Sequence, residues 1–129
     1  MLTKTQICNF KKILNDRFFE VREEVRLELL KTDDQTYIKL AGRVHDTAEA
    51  SVADLLVDIQ LADIDRHIKE IRDIDAALLR IAAGRYGVCT DCERSVATER
   101  LQAYPTAKRC YPCQVKHEHC YAGNNGPSM

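Results

Sequence analysis

From Ala48 to Ala83 the chain runs without one glycine or proline, and apolar residues recur there at helical spacing. Val57, Leu61, Ile64, Ile68, Ile71, Leu78 and Ala82 step by alternating four and three, with Asp75 in one expected slot. That is a heptad seam, and a helix of this length would measure on the order of 50 Å. Upstream, Ile7, Phe10, Leu14, Phe18, Val21, Val25 and Leu29 fall on one helical face, with charged residues and Asn between them. Such stripes face a partner helix. Two long amphipathic segments joined by a short turn pair most simply as an antiparallel hairpin. With 6% aromatic residues, no Trp, 5 Gly and 3 Pro, the composition argues against a turn-rich sandwich or barrel and fits long helices better.

The turn between the segments is predicted at residues 41–47. Gly42 is costly inside a helix, and Asp46 or Thr47 can cap the second segment. Around Thr32-Asp33-Asp34-Gln35 the first stripe falters. Two readings stay open there: a continuous helix with a weak point, or a break with a restart at Thr32, whose Thr-x-x-Gln pattern suits a capping box. Gly84 and Gly87 end the helical region. The expected layout is a hairpin over 1–83 with its tip near 42–51, a cysteine-rich module over 84–121, and a small polar disordered tail over 122–129.

Within the module, Cys89-x2-Cys92 and Cys110-x2-Cys113 are separated by seventeen residues. Four thiolates in this pattern close a tetrahedral shell around one structural Zn2+ with no open position, and the metal replaces a core that so small a module cannot build. His117, His119 and Cys120 lie beyond the last pair and read as ordinary residues of a short final helix. Cys8, beside the apolar face of the first helix, reads as a small packing residue.

A formal net charge of -1, from 19 Lys+Arg against 20 Asp+Glu, argues against a protein that coats nucleic acid. No apolar run approaches the ~18 residues needed to span a bilayer. The N-terminus lacks the apolar core of a secretory signal. The expected compartment is the cytoplasm, where clustered cysteines bind metal rather than pair. No nucleophile–base pair is placed by the sequence, so an enzyme is not expected.

Tyr86-Gly87-Val88-Cys89-Thr90-Asp91-Cys92, Arg100-Leu101-Gln102-Ala103-Tyr104-Pro105 and Cys110-Tyr111-Pro112-Cys113 together resemble the zinc-finger pattern of the DksA/TraR family. Gln6 to Leu14 is similar to the start of that family's coiled coil. The resemblance covers roughly Leu2 to Lys116. It implies a mostly α protein, a long antiparallel coiled-coil hairpin on a small four-cysteine zinc module, that binds bacterial RNA polymerase through its secondary channel. An acidic tip would then act near the polymerase active site and alter open-complex lifetime, with no sequence-specific DNA contact and no membrane.

By motif offset, the family's Asp-x-x-Asp-x-Ala tip corresponds to Asp46, Glu49 and Ser51. From the residues alone, Asp46 and Glu49 would cap the second helix. The resemblance adds the tip role. The family's basic positions for the stringent-response alarmone ppGpp correspond to Asp73, Tyr104 and Gln114, none of them basic. Weak or absent ppGpp synergy is therefore expected, with Lys108, Arg109 and Lys116 as partial substitutes. Glu93 stands where a Gly is often found directly after the first cysteine pair, so an altered or strained knuckle turn is expected. The alternatives are a zinc-stiffened helical adaptor and a nucleic-acid-binding zinc protein. The hairpin can satisfy its own seam as a monomer.

Overall fold

The computed structural model describes residues 2–47, 49–59, 61 and 63–125, without the side chains of 49, 50 and 120–125. Among the described residues there are six helices in order: α1 (Lys4–Leu30), α2 (Gln35–His45), α3 (Glu49–Leu56), α4 (Ile64–Ala82), α5 (Thr98–Ala103) and α6 (Tyr111–Asn125). The chain is mostly α, an antiparallel hairpin carrying a small four-cysteine module, and the described residues contain no strand, only an isolated bridge between Val88 and Ser95.

α1 starts at a capping box formed by Thr3 and Gln6. The Thr3 hydroxyl accepts from the Gln6 N–H at 3.1 Å, and the Gln6 side-chain oxygen accepts from the Thr3 N–H at 2.8 Å. Its predicted face is the buried one: Phe10, Leu14, Phe18, Val21, Val25 and Leu29 are all in the core, and Ile7 is half-buried. Cys8 is exposed, contrary to its expected packing role, because it lies about 200° around the helix from buried Phe10 and so faces away from the core.

At residues 31–34 the helix breaks, which decides between the two open readings. The restart is not at Thr32. The Asp34 carboxylate accepts from the Thr36 N–H at 2.8 Å and caps α2, while the Thr32 hydroxyl donates back to Leu29 O at 2.9 Å. Gly42 does not form the turn. It lies inside α2 with nothing within 4 Å of where a Cβ would stand, and the chain reverses after His45. Burial of Leu40, Ala41 and Val44 outweighs glycine's cost of about 1 kcal/mol.

The predicted unbroken helix over 48–83 is also corrected, since it divides into α3 and α4. Ala53 and Leu56, buried in α3, stand one residue out of phase with the Val57–Leu61–Ile64 seam, roughly 100° around a helix. One straight helix cannot turn both stripes to the same core. The break resolves this and leaves Val57 55% exposed. Along α4 the seam runs through Ile64, His67, Ile68, Ile71, Ile74 and Ala77; Ile74 takes the slot expected at Asp75, while Leu78 is only half-buried and Ala82 is exposed.

α1 and α4 form the legs of the hairpin, with α2 packed back along α1, α3 along α4, and α2 and α3 barely touching. The distal half of the arm is therefore doubled. The legs join the module through a shared core. The Phe10 and Tyr86 rings lie 5.6 Å apart, the Tyr86 hydroxyl donates to Pro105 O at 2.6 Å, and Arg80 donates to Thr106 O at 3.3 Å. Leu2 covers Gly87 so closely that a Cβ there would meet its Cδ1 at 2.9 Å. Charge divides along the chain as well: from Val44 to Asp65 there are six acids and no Lys or Arg, whereas 84–125 holds six Lys+Arg against four acids.

Candidate functional site

Two knuckles deliver the four cysteines. In the first, Gly87 at φ 82 turns the chain so that the Val96 N–H reaches Gly87 O at 2.8 Å, and the Cys89 N–H donates to Arg94 O at 2.8 Å. Glu93 closes this knuckle at φ 63, with its N–H on Cys89 O at 3.0 Å. The turn that prefers glycine is thus retained with a side chain in the left-handed region, at a cost of about 1 kcal/mol. The second knuckle opens α6, where the Gln114 N–H donates to Cys110 O at 2.9 Å. The Thr90 N–H on Lys108 O at 2.9 Å and Arg109 Nε on the Asp91 carboxylate at 2.9 Å tie the knuckles together.

The sulfurs of Cys89, Cys92, Cys110 and Cys113 lie within 4.8 Å of one another, with Cys92 and Cys110 at 3.7 Å. A tetrahedral zinc shell with Zn–S bonds of about 2.3 Å has sulfur edges of about 3.8 Å, so the cage fits one ion of that size. N–H groups of Asp91 and Cys92 point at Cys89 Sγ, at 3.4 and 3.5 Å. Burial alone would raise the Cys89 thiol, but these N–H groups and that of Cys110 bring it down to about 6, whereas Cys113 is pushed up to about 12, first by its hydrogen bond with Cys110 and then by burial. Neighbouring sulfurs resist sharing several negative charges. A structural Zn2+ supplies the positive charge that lets all four be thiolates, and among the described residues no fifth donor lies in the cluster.

Asp46 ends α2 as its C-cap, with φ -97 and ψ 3, and its side chain is 85% exposed. What caps the start of α3 lies outside the described residues, since residue 48 is not among them. A carboxylate at a helix C-terminus faces the negative end of the helix dipole, so it stands there at a small local cost. His45 Nδ1 lies 3.2 Å from it. The Thr47 hydroxyl donates back to Arg43 O at 2.5 Å. Glu49 opens α3, but its side chain lies outside the described residues; Ser51 is exposed on α3.

Asp73, Tyr104 and Gln114, far apart in sequence, line one groove of about 570 Å³ together with Lys69, Arg100, Lys108 and Arg109; Lys116 is not among its lining residues. Lys69 pairs with Asp73 at 3.4 Å, and Arg109 with Asp91. His117 lines this groove, and the side chain of Cys120 lies outside the described residues. α6 continues through Ala122 to Asn125, and 126–129 lie outside the described residues.

A polar clasp between the legs is not legible in the sequence. Arg17 holds Glu70 in a two-pronged pair, with Nη2 to Oε1 at 2.9 Å, and that bond keeps the Glu70 carboxyl below its ordinary range. Buried His67 places Nε2 3.1 Å from Glu24 and Nδ1 2.8 Å from Asp63 O. Its only sequence signal is position, since His67 sits beside Ile68 on the seam.

Residues 84–119 match the family model described as the prokaryotic dksA/traR C4-type zinc finger. Over 117 residues the chain is 26% identical to the RNA polymerase-binding transcription factor DksA of Haemophilus influenzae, covering 91% of this chain and 77% of that protein. It is 28% identical to the factor of the same name from Buchnera aphidicola, covering 91% and 74%, and 25% identical to that of Escherichia coli K12 with the same coverage. Among solved structures, transcription factor DksA2 from Pseudomonas aeruginosa is similar in fold, with a TM-score of 0.65 at 24% identity over 93% of this chain and 88% of that one. No described helix is long and apolar enough to cross a membrane.

Proposed function

We propose that this chain, which belongs to the DksA/TraR family, is a bacterial transcription regulator that binds RNA polymerase and places its acidic turn near the active site by way of the secondary channel. It is a regulator rather than an enzyme, acting in the cytoplasm as a monomer. The observation that carries the reading is Asp46: an almost fully exposed carboxylate that stands as the C-cap of α2, at the turn between α2 and α3. Similarity across 91% of the chain to factors named for polymerase binding supplies the partner. Glu49 and Ser51 accompany Asp46 in this role, and the zinc module serves as the base that holds the legs.

The reading includes weak or absent ppGpp synergy. Asp73, Tyr104 and Gln114 bring no cation to the groove, and two of its cations, Lys69 and Arg109, are held by carboxylates. Arg100 and Lys108 remain as the cations that could contact phosphate, with Lys116 outside the lining. Promoter DNA is not read directly.

The test is open-complex lifetime at a ribosomal RNA promoter, using bacterial polymerase and purified protein with and without ppGpp. A shortened lifetime without ppGpp, little changed by adding it and lost in Asp46→Asn, is the expected result. Unchanged lifetimes with polymerase binding intact would make the chain an adaptor. A ppGpp gain that survives removal of polymerase's own second site would overturn the alarmone part.

A further inference from the structure

A groove of about 510 Å³ opens where the legs meet the zinc module. Its floor is core, since Leu14 of α1 and Ile74 of α4 are both buried. Its sides come from different parts of the chain. Ile13 stands on the leg and Tyr104, just after α5, on the module, and both are left in water, at 46% and 64% exposure. Tyr104 also borders the groove that gathers Asp73 and Gln114. The charges at the leg–module groove are unbalanced: Asp16, Glu20 and Glu70 line it with a single cation, Arg17. That cation is already committed. Arg17 Nη2 lies 2.9 Å from Glu70, and Nη1 lies 3.2 Å from Glu20 and 3.5 Å from Glu24. Asp16 is exposed, and its carboxylate makes no hydrogen bond or ion pair among the described residues. A carboxylate beside an apolar cleft and an aromatic ring is a combination that recognises ammonium groups, through a charge-assisted hydrogen bond and the negative face of the ring.

We propose that this groove binds a small organic amine, an ammonium group on an apolar body. The body lies over Leu14 and Ile74 between Ile13 and Tyr104, and the ammonium is held by Asp16 with Glu20 beside it. The volume falls within the range of about 300–1,000 Å³ usual for small-molecule sites. The large apolar side chains exposed along it are two, far short of the ~800 Å² that each side of a stable protein interface covers, which favours a small molecule over a protein segment. An anion would meet the excess of carboxylates. An occupant that touches both Ile13 and Tyr104 braces the leg against the module, so binding also stabilises the folded chain. The site belongs to the free chain and does not depend on the polymerase reading.

Three probes of one shape separate charge from fit. At pH 7, 2-phenylethylamine carries an ammonium, 2-phenylethanol has no charge, and 3-phenylpropionate reverses it. Each is titrated into the full, zinc-loaded chain while the backbone amide signals of Ile13, Asp16 and Tyr104 are followed by NMR. The expected result is saturable shifts at these amides with the amine, about ten-fold weaker binding of the alcohol, and none of the propionate. Asp16→Asn and Tyr104→Leu should each weaken amine binding about five-fold or more and remove most of its advantage over the alcohol. Both residues are exposed, so both variants should fold, and one bound zinc per chain with unchanged signals elsewhere shows that they have. No saturable shift up to about 20 mM amine, or an advantage over the alcohol below about three-fold, overturns the proposal. So does propionate binding as tight as that of the amine, or amine affinity unchanged in either variant. Shifts at these amides that appear only when polymerase is added would make the groove a protein contact and overturn it as well.

Discussion

Replacing Tyr86 by Phe separates two contributions that one hydroxyl makes to the joint between legs and module. At neutral pH the hydroxyl donates to Pro105 O at 2.6 Å, and its loss should cost about 1 kcal/mol, the usual net worth of such a bond. The residue is buried, and burial, partly offset by Arg80, pushes its phenol up to about 12. An unfolded tyrosine ionises near pH 10, about two units lower. Between these values the unfolded chain has released the phenolic proton and the folded chain still holds it. Wild-type stability therefore falls as pH rises through that window, by up to about 2.7 kcal/mol over two units. Tyr86→Phe has no such proton. It should be less stable than the wild type at pH 7, match it near pH 11, and exceed it by about 1–2 kcal/mol close to pH 12. Urea unfolding followed by far-UV circular dichroism at several pH values measures this, and the difference between the two proteins cancels the other alkaline groups. Curves that stay parallel from pH 7 to 12 would refute the reasoning and place the Tyr86 hydroxyl in contact with water.

Removing zinc with a chelator should unfold 84–125 and leave much of the helix in the legs, seen as loss of the Tyr86 fluorescence environment with only partial loss of helical circular dichroism; titration back should saturate at one zinc per chain. Gly87→Ala should cost about 2 kcal/mol or more, because the new Cβ meets Leu2 and the φ of 82 suits only glycine; adding Leu2→Ala should relieve the clash without recovering the backbone cost, as melting temperatures of the single and double variants would show. Glu93→Gly should leave stability unchanged or raise it by up to about 1 kcal/mol, read from the melting temperature, since it removes the left-handed penalty at φ 63 and gives up only an exposed contact with Arg85.

The parts of this fold that can be read from sequence are those set by local chemistry. The α1 stripe and the doubled Cys-x2-Cys pattern each come from spacing alone, and both are where spacing puts them. What spacing does not carry is phase. The seam over 57–82 reads as continuous because Val57 and Leu61 happen to extend it, yet Ala53 and Leu56 lie one residue out of phase and decide the break. Propensity puts a turn at Gly42, and tertiary burial of its neighbours overrides that preference. The cap at Asp34 competes with a better-looking box at Thr32, and the winner depends on where α2 has to start to reach α1. At the candidate site, the cysteines are legible because their spacing is a coordination rule. The grouping of Asp73, Tyr104 and Gln114 comes from motif offset, since three residues on different elements meet only through the tertiary fold.

The uneven charge along the chain makes the molecule a long electric dipole, acidic from Asp46 to Asp65 and mildly basic in the module, with almost no net charge. Such a molecule feels little overall pull toward a charged surface but a strong torque near one. It will arrive at a positively lined cavity arm first and at an acidic one module first, before any contact is made. Added salt should then slow association by randomising that approach while leaving dissociation nearly unchanged.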